Sequence, residues 1–221
     1  MAHRVLPLLF LCCCTDSLVA AVHDRGGGLL YDDVLKITWL QDANYAKSVK
    51  APQATAQGEL NWDAANAWVE GLIYHDSVRN VDWDDWRLPR VRPLAESGFS
   101  GRFRLDGSSD EGYNIVSPRS ELAYMFHVNL GCRGYYRADG QERQDFGAGG
   151  NGKWGGSHDV GPVRNLMAVI YWTGTNEVLN PERNAWMFDT YWGFQNFYNK
   201  WDKLYVWPVR DGDVAVDAPT R

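Results

Sequence analysis

Beyond residue 14 the chain holds a single cysteine, Cys132. One thiol cannot close an internal disulfide, so a stapled framework is excluded and stability must come from packing. No run of Lys and Arg occurs, and the formal net charge is −6. Binding to a polyphosphate needs clustered cations, so nucleic acid is not an expected partner. No apolar stretch reaches the ~20 residues that a membrane-spanning helix needs. His75, His127 and His158 are scattered, with no His-x-x-x-His pair, and zinc is not expected. No internal repeat is evident.

The N-terminus has a short basic start, "MAHR", followed by the apolar run "VLPLLFLCCC". Small residues at Val19 and Ala21 then suit a signal peptidase. Residues 1–21 are therefore expected to be a cleaved secretory signal that removes Cys12, Cys13 and Cys14. The remainder reads as one domain, 22–214, with a tail at 215–221, secreted or periplasmic and with no membrane anchor.

What is abundant is aromatic: eleven Trp and eleven Tyr. Many lie in periodic segments. "GGGLLYDDVLKITWLQDAN" (26–44) alternates, turns at Asp32-Asp33 and predicts a β-hairpin. "NWDAANAWVEGLIYH" (61–75) has helical spacing and Asn61 as its cap. "SPRSELAYMFHVNLGC" (117–132) predicts a second helix, with Ser117 as N-cap, Pro118 at the first position and Gly131 near the end. Residues 133–162 form a long glycine-rich connection. Strands follow at 165–175, 184–200 and 204–212. Hairpin, two helices, loop and antiparallel strands make an α+β fold, not a βαβ alternation. Trp39, Trp62, Trp68, Trp86, Trp172 and Trp186 are expected in the core.

Three motifs invite a chemical reading. "GAGGNGKW" (147–154) has P-loop spacing, but a charged irregular segment precedes it and helix breakers follow. Trp154 also stands where a metal-binding hydroxyl is required. It is expected to be a flexible surface loop. Ser157, His158 and Asp159 are adjacent in sequence and cannot assemble a triad among themselves. "DWDDW" (82–86) offers hard oxygen ligands without calcium-loop spacing, and reads as an acidic turn around buried Trp83 and Trp86.

That leaves the rings outside the periodic segments. Trp154, Tyr191 and Trp192 lie in or near irregular stretches and are candidate stacking faces for sugar rings. Asn176, Glu177 and Asn184 are candidate hydrogen-bond partners for hydroxyls. No catalytic residue, metal or cofactor is expected.

In order along the chain, "LLYDDVLKITWLQDANYA", "ANAWVEGL", "DWRLP", "SELAYMF", "YWTGT", "AWMFDTYWGFQ" and "YVWPVRDGD" resemble the DUF1566 family, to which the C-terminal domain of the Legionella collagen-like adhesin belongs. The resemblance spans about residues 28–214. It implies a C-type-lectin-like fold, shared with formylglycine-generating enzymes: two helices packed on small antiparallel sheets, with a long irregular loop region. The adhesin is associated with sulfated glycans and trimerises through a collagen-like region. Here there is no Gly-X-Y repeat, and an acidic chain suits a sulfated polyanion poorly. "NPE" (180–182) and "KWD" (200–202) depart from the calcium-lectin triplets. Cys132 alone supplies no cysteine pair for formylglycine chemistry. The expected function is noncatalytic binding of carbohydrate or another surface ligand. The alternatives are a formylglycine-type oxidase or other secreted enzyme, and a structural cell-envelope protein.

Overall fold

A computed structural model describes residues 22–217, so the expected signal at 1–21 and the end of the tail lie outside the described residues. The first strands are β1 (Val22–Asp24), β2 (Leu29–Asp32) and β3 (Ile37–Leu40), followed by the short helix α1 (Tyr45–Ser48) and by α2 (Trp62–Glu70). Then come β4 (Tyr74–Asp76), β5 (Val81–Trp83), β6 (Trp86–Arg87), β7 (Phe103–Arg104) and β8 (Glu111–Tyr113). Helix α3 (Glu121–Tyr124) runs into a π-helical segment, Met125–Asn129. The rest is β9 (Ser157–Val160), β10 (Val163–Met167), β11 (Ile170–Asn176), β12 (Asn184–Asp189), β13 (Phe194–Asn199), β14 (Val209–Asp211) and one turn of helix, α4 (Val214–Asp217). The class is α+β, mainly β, with few and short helices.

Two five-stranded sheets form the frame, ordered β1-β2-β3-β14-β6 and β11-β12-β13-β8-β7. Every strand pair is antiparallel except β7 with β8. β9–β10 and β4–β5 are separate hairpins. The hairpin expected at 26–44 is present as β2–β3. Its turn is held by Asp32, whose Oδ1 accepts the Val34 and Leu35 N–H groups at 2.9 and 2.8 Å.

Successive side chains on a strand point to opposite faces, and here both faces are covered. Tyr171 and Phe188 enter one apolar cluster with Trp39, Phe126 and Trp207; Trp172 and Met187 enter another with Leu29, Leu60 and Val206. Buried indoles also tie segments together. Trp172 Nε1 donates to Leu60 O at 2.9 Å, and Trp207 Nε1 to Leu40 O at 2.7 Å. Trp39, Trp86, Trp172 and Trp186 are buried as expected, and so is the Trp83–Trp86 pair of the acidic turn. Trp62 and Trp68 are only half-buried, packed on the second cluster.

Asn61 caps α2 as expected, its Oδ1 accepting from Ala64 N at 2.9 Å. The helix stops at Glu70, because Tyr74–Asp76 pairs with Val81–Trp83 instead. The second expected helix is a larger correction. Residues 117–120 are not helical: Arg119 O accepts from Arg92 N at 2.7 Å, and Glu121 N donates to Arg90 O at 3.1 Å. Pairing with the 90–92 segment overrides the local preference, so the helix begins after Ser120 rather than Ser117. It then widens, with Leu130 N bonded to Met125 O at 2.9 Å.

Candidate functional site

The β11–β12 hairpin sorts the candidate residues. Ile170 faces Asp189 at one end, and Asn176 faces Ala185 at the other. Six residues at ~3.3 Å each separate the ends by roughly 20 Å. Tyr191 and Trp192 follow Asp189, whereas Asn176, Glu177 and Asn184 sit at the far end. The expected single site is therefore two places.

At the first end, Asp189 builds the turn. Its Oδ1 accepts the Tyr191 and Trp192 N–H groups at 2.8 and 2.9 Å, while its carbonyl accepts from Gly193 N at 2.7 Å. Burial pushes the Asp189 carboxyl up to about 6, against the opposing pull of those two N–H donors. The rings that follow pack on one another. Trp192 stacks on Phe146 at 5.5 Å and 6°, and Tyr191 meets Phe146 edge-on at 5.3 Å. Trp192 thus has one face covered by Phe146 and does not line the groove beside Trp154. Tyr191 is half-buried and donates its hydroxyl to Gly152 O at 3.2 Å. It supports Trp154, whose ring lies at 5.1 Å and 87° to it.

Trp154 is the ring this assembly leaves out, 56% exposed. It lines a groove of 370 Å³ with Tyr198, Ile170, Glu59, Asp202 and Lys203. Tyr198 is 41% exposed, so two aromatic faces and three charged groups meet there. Sequence reasoning missed Tyr198, Glu59, Asp202 and Lys203. The signal available was "YNKWDK" (198–203), where strand alternation breaks into rings and charges.

The "GAGGNGKW" segment is an irregular surface loop as expected, but its first two residues are anchored. Ala148 N donates to Thr190 O at 2.8 Å, and Ala148 is buried. Gly147 has φ +81, and a Cβ there would lie 2.6 Å from Tyr191 O. The glycines let the backbone pack against the Asp189 turn. The strand β9 follows, inside the stretch expected to be loop, and no helix opens there.

At the far end Glu177 is buried, and its own turn consumes it. It accepts from Leu179 N at 2.5 Å and Asn180 N at 2.7 Å. That corrects its expected role as a free partner for hydroxyls. Asn176 is exposed and Asn184 half-buried, and neither lines the Trp154 groove. Glu177 instead borders a 250 Å³ cavity with Phe99, Glu111, Trp186 and Phe197. Burial first, then the Glu177 and Asp110 carboxylates, raise Glu111.

The other motifs resolve into structure. Asp85 forms a two-point pair with Arg210 at 2.7 and 2.9 Å, and Asp82 meets His75 at 2.7 Å. Among the described residues no cluster of three metal-ligating side chains occurs, and no helix is long and apolar enough to cross a membrane. Cys132 is half-buried, and burial pushes its thiol up to about 11, away from the reactive thiolate. Comparison with known protein families, curated proteins and solved structures finds no match to any of them.

Proposed function

We propose that this chain is a secreted, noncatalytic binding domain that takes carbohydrate in the Trp154 groove. The observation that carries the reading is the exposed Trp154 ring, held edge-on by Tyr191 above a groove that also presents Tyr198. Flat apolar faces stack on sugar rings, and Glu59, Asp202 and Lys203 are placed to bond hydroxyls around them. The packed aromatic base keeps the ring pre-oriented, which lowers the cost of binding.

The same reading assigns residues 22–214 to the DUF1566 and C-type-lectin-like group, and residues 1–21 to export. Short helices on small antiparallel sheets with a long irregular stretch are compatible with that assignment. A glycan-array screen of the purified protein, with and without calcium, tests the function. Calcium-independent binding is expected, lost in Trp154→Ala and weakened in Tyr198→Ala. Unchanged affinity in Trp154→Ala at native thermal stability would sink the site.

A further inference from the structure

Two more depressions lie next to the Trp154 groove. One, of 480 Å³, is lined by Asn44, Lys47, Gln57, Ser157 and Asn165, and shares Gly155 with the groove. The next, of 340 Å³, is lined by Asp42, Tyr45, Tyr74 and Arg164, and shares Asn165 with the second. Their linings advance along one stretch of chain: Ile170 and Val169, then Met167 and Asn165, then Arg164. At ~3.3 Å per residue this stretch covers at most about 20 Å. We infer that the three depressions are subsites of one trough, and that its ligand is an uncharged chain of several linked sugars. This rests on the proposed carbohydrate reading of the Trp154 groove.

The chemistry along the trough favours a neutral polymer. Glu59, Asp202 and Asp42 are matched by Lys203, Lys47 and Arg164, so no charge sign dominates. A polyanion or polycation would find no field to bind it. Rings stand at both ends, Trp154 and Tyr198 at one, Tyr45 and Tyr74 at the other. Between them the lining is mostly amide and hydroxyl, with Lys47 and Met167 beside them, and so supplies donors and acceptors that sugar hydroxyls need.

Gly155 is the junction. Its φ is +75, and a Cβ built there meets nothing within 4 Å. A side chain there would stand where the linings of the first two depressions meet. Asn tolerates this backbone region better than other L residues, so Gly155→Asn adds a side chain with less strain than another substitution would.

Calorimetric titration with chito- and cello-oligosaccharides, from disaccharide to hexasaccharide, tests the trough. For the unaltered protein, affinity is expected to rise with length by about tenfold or more, the worth of one or two net hydrogen bonds. In Gly155→Asn, which alters the groove as well as the second depression, the ratio of hexasaccharide to disaccharide affinity should fall to about one. Equal affinity for disaccharide and hexasaccharide in the unaltered protein overturns the trough and leaves the Trp154 groove standing. A length dependence that survives Gly155→Asn also overturns it. Binding of neither ladder at any length removes both the trough and the reading beneath it.

Discussion

The two ends of the β11–β12 hairpin use the same device to different ends. At each, a buried carboxylate accepts two successive backbone N–H groups: Asp189 from Tyr191 and Trp192, Glu177 from Leu179 and Asn180. A buried N–H without a partner is costly, so both acids are committed to their own turns. The Asp189 turn then presents rings that pack and lift Trp154 into solvent. The Glu177 turn presents Val178 and Leu179, 59% and 83% exposed, beside a small aromatic cavity. An acid near a binding surface is therefore no evidence of a ligand contact until its backbone obligations have been counted.

Four measurements break or sharpen this comparison. The largest effect is expected from Gly147→Ala, which drives a Cβ into Tyr191 O while holding alanine at φ +81. Strain and overpacking together should cost about 3 kcal/mol. Gly150→Ala, with positive φ but nothing within 4 Å, should cost only about 1 kcal/mol. Urea unfolding of the pair reads the difference, and equal losses would mean that the Gly147 contact does not matter.

Next is a pH effect at Asp189. Its native carboxyl is raised to about 6, so the folded protein holds this proton at pH values where the unfolded chain has released it. Its contribution is therefore fully present below about pH 4 and lost as pH rises through about 6, a fall of roughly 3 kcal/mol. Asp189→Asn should flatten that part of the stability profile; a profile identical to the unaltered protein contradicts the assignment. Glu177→Ala strands two N–H groups and should cost about 1–3 kcal/mol, without changing oligosaccharide affinity. Weaker binding in that variant would join the two ends after all. The smallest effect on stability belongs to Trp154→Ala, about 1 kcal/mol or less by thermal melting, because the ring is mostly in solvent and makes one edge contact.

Much of the frame was legible in the sequence where one local signal decided the outcome. Asp32 marked the first turn and Asn61 the start of α2, and the C-terminal half read as strands. That "GAGGNGKW" opens no helix was legible from the breakers that follow it. The second helix was misread because pairing between 119–121 and 90–92 is a long-range event that helix spacing cannot report. The site was half legible. Trp154 and Tyr191 were found from their irregular setting, and they do meet. Asn176, Glu177 and Asn184 were grouped with them on residue type and expected exposure. Only the register shows that a strand's length lies between them. Trp192 was misplaced for a different reason: its partner Phe146 comes from the glycine-rich segment, whose packing leaves no periodic trace.

The half-buried thiol of Cys132 has a practical consequence. It is the only cysteine among the described residues, and burial keeps it protonated at neutral pH. A maleimide or spin label reacts through the thiolate, so the native residue stays nearly silent in a short labelling reaction. Trp201→Cys, at a position 71% exposed and beside the groove residue Asp202, would then take a probe almost alone. Among the described residues the fold thus comes ready for spectroscopic distance and accessibility work at its proposed ligand seat.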